Sequence, residues 1–240
     1  MKTIISIFTL LIIGTNLNAQ VFTKRIKGNA KVITENRSVS DYDKISVAGS
    51  FDVKLVKGKE GAISINAEEN LMEYIETEVR NGHLKIQPKK GYQLNATKTI
   101  LITVSFETID AISLAGSGNV SSADVLSSSD LNLDLSGSGE IDLPVSTKNL
   151  TSQIAGSGSI KLSGNSEVLN CEIAGSGSLN GSDLKATVSH VNIAGSGNVK
   201  VHAVSEIHAE IVGSGDVIYT GNPTIEKLKS VGSGSFKKKS

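Results

Sequence analysis

The groups of this chain that could do chemistry are four histidines, one cysteine, many serines and scattered carboxylates, and their spacing decides what they can do. A metal centre needs His, Cys, Asp or Glu to converge within a few ångströms. His83, His190, His202 and His208 show no ligand spacing. His202 and His208 are six apart, which on a strand puts them on one face but about 20 Å distant. All four therefore read as solvent-facing strand residues. A serine hydrolase needs a Gly-x-Ser-x-Gly elbow served by a histidine, and no such elbow is present. Pairs of glycines invite a phosphate-loop reading. The stretch Gly116-Ser117-Gly118-Asn119-Val120-Ser121 has neither the third glycine nor the following helix of a dinucleotide site, and no Gly-Lys-Ser/Thr follows any glycine run. Calcium needs several converging oxygens, usually with more than one carboxylate. The polar site after each glycine pair is acidic only at Glu140 and Asp216. A polysaccharide lyase or glycosidase wants paired carboxylates and aromatic platforms, and the repeats offer only Tyr219 and Phe236 as rings. No catalytic, cofactor-binding or metal-ligating residue is assigned, and no cofactor is expected.

What must be positioned is instead a repeat. Gly-Ser-Gly begins at Gly116, Gly137, Gly156, Gly175, Gly195, Gly213 and Gly232, at spacings of 21, 19, 19, 20, 18 and 19 residues. A period near twenty signals a solenoid. Two residues before each first glycine stand Leu114, Leu135, Ile154, Ile173, Ile193 and Ile211, with Ser230 breaking the series. Four residues after it, Val120, Ile141, Ile160, Leu179, Val199, Val217 and Phe236 are all apolar. Period-two alternation on both sides of a glycine turn means strand, turn, strand, with one face buried. Small Ala115, Ser136, Ala155, Ala174 and Ala194 before the turn suggest a tight corner with little room inside, and the turn serines can hydrogen-bond locally. Ser163-Gly164-Asn165 marks a second turn in the unit. Identical units bury their apolar faces most simply by stacking in register, at about 4.8 Å per coil. The expectation is an all-β, right-handed parallel β-helix, about 34 Å long for seven coils, with Gly-Ser-Gly turns along one edge. A membrane β-barrel, which also alternates, needs longer lipid-facing strands and aromatic girdles.

Residues 20–110 keep the strand grammar without the tripeptide. Ala48-Gly49-Ser50-Phe51-Asp52-Val53 reads as a degenerate unit with Phe51 for the second glycine. Asn81-Gly82 between Ile75–Val79 and Leu84–Ile86 predicts a hairpin. Residues 68–74 predict a brief helical turn, and residues 88–91 a loop before strands resume at Ile100. Cys171 occupies a position held elsewhere by Ile112, Leu133 and Val191, so it reads as a small core side chain rather than a nucleophile.

From about Arg37 onward the chain resembles the family of putative auto-transporter adhesins with a head GIN domain. The resemblance is carried by Arg37-Ser38-Val39-Ser40-Asp41-Tyr42-Asp43-Lys44-Ile45-Ser46-Val47, by Asn70-Leu71, by Asn81-Gly82-His83-Leu84-Lys85-Ile86 and by the Gly-Ser-Gly ladder. It implies a pectin-lyase-like β-superhelix and a role in cell adhesion, and it brings no catalytic residues.

The N-terminus adds an address. Lys2, the apolar run Ile4–Ile13 and Leu17-Asn18-Ala19 before Gln20 form a secretory signal peptide, too short for a spanning helix. The expected organisation is a signal peptide at 1–19, a lead-in extension at 20–36 and one head GIN-type β-helix domain at 37–240, with the repeats in 111–240. The 24 basic and 24 acidic side chains balance. Removing residues 1–19 takes away Lys2 alone and leaves one excess negative charge, so neither nucleic acid nor an anionic membrane attracts the protein. With one cysteine there is no internal disulfide, and an internal Cys171 excludes an acylated N-terminal lipoprotein cysteine. The ending Phe236-Lys237-Lys238-Lys239-Ser240 leaves no room for a C-terminal membrane barrel. The expected protein is exported, to the periplasm, cell surface or medium, and is not a lipoprotein. It is non-enzymatic and binds a surface or envelope protein or glycan through extended polar β-helix faces, with homo-oligomers compatible and no membrane insertion. A structural periplasmic protein is the second reading and a polysaccharide-active enzyme the third.

Overall fold

The computed structural model describes residues 23–239, so the signal-peptide reading of residues 1–19 lies outside the described residues. Five long strands, Leu126–Gly137, Glu140–Gly156, Ser159–Gly175, Ser178–Gly195 and Asn198–Gly213, each pair in parallel with the next. The first glycines align as Gly137, Gly156, Gly175, Gly195 and Gly213, one above another. The whole is a β-solenoid of about seven turns.

The tripeptide makes the corner for two separate reasons. The first glycines have φ between 114° and 135°, a region side chains rarely adopt. A Cβ on any of them would also sit 2.1–2.6 Å from the carbonyl oxygen of the glycine one coil earlier. A Cβ on the second glycines would meet the carbonyl oxygen of the coil before, at 2.4 Å for Gly139 and 2.1 Å for Gly215, and a core side chain as well. A Cβ at Gly177 would lie 2.5 Å from Ile154 Cγ2, and one at Gly197 would lie 2.6 Å from Ile173 Cγ2. Backbone bonds run along the axis through the corner, as in Ser157 N–H to Gly137 O at 2.9 Å and Ser176 N–H to Gly156 O at 2.8 Å. The turn serines contribute these N–H groups rather than their hydroxyls, which point to solvent.

Two further corners close each coil. Gly164 has φ 103°, and a Cβ there would touch Val145 O at 2.1 Å, which accounts for the predicted second turn. The third corner stacks Ser128, Thr147 and Ser166. Ser128 Oγ donates to Asp130 O at 2.7 Å and Ser166 Oγ to Val168 O at 2.8 Å, fixing the bend by side-chain to backbone bonds. Inside, Ile154, Ile173, Ile193 and Ile211 form one apolar file, and Ile160, Leu179, Val199 and Val217 another, all buried. Cys171 is buried in a further file, between Ser152 and Val191, and desolvation pushes its thiol up to about 12, so it stays protonated and inert.

The small residues before the turn depart from expectation. Ala115, Ser136, Ala155, Ala174 and Ala194 are exposed, one step out of phase with the buried file, so they face solvent rather than a cramped interior. The crowding belongs to the glycines alone.

Residues 23–110 finish the N-terminal end. Lys44–Gly49 joins Ala111–Gly116 with Gly49 opposite Gly116, and the Phe51 ring is buried where later coils carry their second glycine. One sheet then ends in the hairpin Ile75–Arg80/His83–Pro88, whose Asn81 and Gly82 have φ of 52° and 72°, the left-handed pair of a two-residue turn. The other runs through Asp52–Lys57 and Leu101–Phe106 to the antiparallel strands Ala62–Glu68 and Val32–Ser38. The 3-10 turn Glu69–Tyr74 lays Leu71 and Met72 over the core. Between the predicted loop at 88–91 and Ile100 the structure adds a strand the sequence reading lacked, Tyr92–Asn95, paired with Lys24–Lys27. Buried Glu68 ties this addition down. It accepts bonds from Ala30 N at 2.6 Å, Thr97 N at 2.8 Å and Thr97 Oγ1 at 2.7 Å. The Thr97 hydroxyl bond first, then the backbone donors, holds its carboxyl down at about 2 against desolvation.

The last coil, Ile225–Gly232 and Ser235–Lys238, turns polar at inward positions. Glu226, Ser230 and Lys238 stand in register with Ile207, Ile211 and Tyr219 of the coil before. Lys238 Nζ lies 3.0 Å from Glu226 Oε1 and 6.0 Å from the Tyr219 ring centroid, and Tyr219 Oη donates to Glu226 Oε2 at 3.0 Å. The break at Ser230 thus belongs to a terminal coil with a polar lid, as solenoids require.

Candidate binding face

The outward side chains of the strand that precedes each Gly-Ser-Gly corner form three parallel files. Nearest the corner runs a file of small, mostly apolar residues, Ala115, Ser136, Ala155, Ala174, Ala194 and Val212, the last 51% exposed. Next runs Ser113, Asp134, Gln153, Glu172, Asn192, Glu210 and Lys229. The third holds Asn170, His190, His208 and Lys227 on successive coils. Because strands stack in register, each file is straight, and its members recur at about 4.8 Å.

Between Asp134 and Val212 the first two files bound a shallow trough of about 520 Å³ with an apolar floor. Its polar edge is bonded from coil to coil. Ser113 Oγ donates to Asp134 Oδ2 at 3.3 Å, Gln153 Nε2 lies 3.5 Å from Glu172 Oε2, and Lys229 Nζ pairs with Glu210 Oε1 at 2.7 Å. Asp134, Glu172 and Glu210 fall on alternate coils with amides between, so the edge is acidic and rich in acceptors. A flat apolar strip beside such an edge can pack against the non-polar face of a ligand while the edge bonds its donors. A second hollow, of about 770 Å³ and polar, lies between residues 92–100 and the corner at Gly49 to Asp52.

The groups considered for chemistry are dispersed. His83 Nε2 meets Ser46 Oγ at 2.6 Å, His202 Nδ1 meets Thr220 Oγ1 at 2.9 Å, and His208 Nε2 meets Glu206 Oε2 at 3.1 Å. His190 and His208, which the sequence reading did not pair, stand side by side with ring centroids 4.9 Å apart. Their separation of 18 residues is one coil, and that period was the signal that could have found them. Glu140 and Asp216 sit four coils apart along the same outer file. Among the described residues no three His, Cys, Asp or Glu side chains gather to hold a metal ion. The strongly shifted groups serve structure: burial raises the Tyr42 hydroxyl, which donates to Ser105 O, and Glu68 locks the cap.

Stacked coils and straight outer files define a β-solenoid scaffold. The chain belongs to the family of putative auto-transporter adhesins with a head GIN domain, whose sequence profile matches residues 41–223. A putative adhesin from Bacteroides fragilis NCTC 9343 superposes with a TM-score of 0.84 at 25% identity, over 89% of this chain and 100% of the other. A putative lipid binding protein from Parabacteroides distasonis ATCC 8503 gives 0.77 at 31% identity, over 90% and 100%. A putative adhesin from Parabacteroides merdae ATCC 43184 gives 0.69 at 22% identity, over 91% and 100%, a likeness of fold. None of the curated proteins compared with the chain matches it. Among the described residues no helix is long and apolar enough to cross a membrane.

Proposed function

We propose that this is an exported, non-enzymatic binding module of the bacterial envelope that engages its partner, an envelope glycan or protein, along the trough beside the Gly-Ser-Gly corners. The reading includes a signal peptide at 1–19, placement at the surface, in the periplasm or in the medium, and one functional domain over 37–240. The observation that carries it is the exposed alanine file bordered by Asp134, Gln153, Glu172, Asn192 and Glu210 across five coils. Family membership and similar structures named as adhesins support it. Catalysis concentrates unlike groups at one place, whereas this face repeats similar groups along a line and suits weak contacts multiplied by length.

The relative named as a lipid binding protein, 31% identical, favours a second reading in which the apolar floor takes an acyl chain. One experiment separates the two. Labelled protein is titrated with purified surface polysaccharide, with isolated envelope protein, and with phosphatidylcholine/phosphatidylglycerol vesicles, alongside the double variant Ala174→Arg/Ala194→Arg. Saturable binding to polysaccharide or envelope protein that the variant loses at least tenfold, at unchanged melting temperature, is the expected result. Binding confined to vesicles overturns the adhesion reading in favour of the lipid one, and binding the variant retains removes the trough from the account.

A further inference from the structure

The third outer file carries a feature that the adhesion reading does not use. His190 and His208 occupy registered positions on adjacent strands, both half-buried, with rings 4.9 Å apart and tilted by 41°. Neither strand is an edge: the His190 strand is flanked on its other side by Asn170, and the His208 strand by Lys227. The two backbones are therefore held at fixed spacing by hydrogen bonds on both sides, and the pair is preorganised.

The environments of the two rings differ in a way that suits a ligand pair. His208 Nε2 lies 3.1 Å from Glu206 Oε2. Donating Nε2–H to that carboxylate leaves Nδ1 as the unprotonated nitrogen, the arrangement in which a carboxylate that does not itself bind the metal orients a metal-binding imidazole. His190 makes no hydrogen bond among the described residues, only the ring contact with His208, so no competing bond holds its nitrogens. Two nitrogens bound to one zinc at about 2.0–2.1 Å stand about 3.3 Å apart in tetrahedral geometry. Rotation of one ring reaches that separation from rings this close.

We propose that His190 and His208 form a two-imidazole site for a borderline divalent cation, Zn²⁺, Ni²⁺ or Cu²⁺, with Glu206 orienting His208. Imidazole selects these ions over calcium or magnesium, which prefer oxygen. With no third His, Cys, Asp or Glu converging, the remaining positions are water's and open to solvent. The site is thus of the open kind, where a side chain or donor from a partner can complete the coordination. Of the other charges nearby, Glu210 is paired with Lys229, and Lys227 one coil on opposes a bound cation and keeps affinity modest.

The test is calorimetric titration of the purified protein with NiCl₂ and ZnCl₂. The expected result is one saturable site, weakened at least tenfold by His190→Ala and by His208→Ala, and roughly tenfold by Glu206→Gln. His202→Ala, at a ring already bonded to Thr220, leaves the affinity unchanged. Melting of each metal-free variant confirms that it folds. In the unmutated protein, Cu²⁺ is expected to broaden the imidazole proton signals of two of the four histidines first. No binding by the unmutated protein, binding that survives loss of either histidine, or equal broadening of all four rings overturns the proposal.

Discussion

Along the strand Ser159–Gly175, Leu169, Cys171 and Ile173 face the core while Asn170, Glu172 and Ala174 face solvent, and the two sets vary from coil to coil by different rules. Inside, the file beside the corner repeats one residue at Ile154, Ile173, Ile193 and Ile211, and the file of Leu133, Ser152, Cys171, Val191 and Ala209 changes in size but stays small or apolar, because each must fit a closed cross-section. Outside, Gln153, Glu172, Asn192 and Glu210 share only polarity, and Thr151, Asn170, His190 and His208 share less. The fold constrains one face of the strand and leaves the other free to vary. In a repeat protein, information about partners therefore lies where the repeat is kept in position but relaxed in identity.

That contrast predicts the order of mutational effects. Gly175→Ala meets both a positive φ of 122° and a carbonyl oxygen 2.6 Å from the new Cβ, and is expected to cost about 3 kcal/mol or more. Ile173→Asp buries an unpaired carboxylate and is expected to cost at least about 3 kcal/mol. Urea unfolding measures both, and a loss under about 1 kcal/mol in either would break the inside rule. Ser152 sharpens it from the other direction. Its hydroxyl is buried without a partner among the described residues, in the file of Leu133 and Cys171, so Ser152→Ala is expected to be neutral or stabilising by up to about 1 kcal/mol. Glu172→Lys, on the outer face, is expected to change stability by less than about 0.5 kcal/mol.

The cap obeys neither rule, since it is held by contacts that do not recur. Glu68 has a folded pKa of about 2 against an ordinary 4.5, so its contribution is complete above about pH 4.5 and lost as pH falls through 2. The melting temperature of Glu68→Gln is therefore expected to lie below that of the unmutated protein at pH 6, with the gap closing towards pH 2. A constant gap across that range would show that the depressed carboxyl is not what fastens residues 28–30 and 95–98.

How much of this was legible follows from the same division. The corners, the buried file, the Asn81-Gly82 hairpin and the degenerate corner at Gly49 could be read because each is a local pattern of glycine and alternation. The strand Tyr92–Asn95 could not, because its partner Lys24–Lys27 lies 68 residues away and the alternation of Tyr92-Gln93-Leu94-Asn95 runs over only four residues, too few to tell a strand from a loop. The outward alanines were misplaced because small size suggested confinement, when the glycines one and three residues on already absorb it. The meaning of Ser230 needed the Glu226–Lys238–Tyr219 lid, three residues that meet only in three dimensions. The His190–His208 pair was within reach, at one period's separation, but a search for ligand spacing along the chain looks at the wrong distance in a solenoid.

The central claim is that the outer face beside the corners, and not an enclosed catalytic centre, carries the function. The most direct measurement is a paired one on Ala174→Arg/Ala194→Arg: melting temperature, and retention of the labelled protein on cells of the producing bacterium stripped of their own copy. The account predicts melting within about 2 °C of the unmutated protein, since neither position is buried, together with at least a tenfold loss of retention. Retention equal to the unmutated protein's, or turnover of a polysaccharide that one substitution elsewhere abolishes, would contradict it.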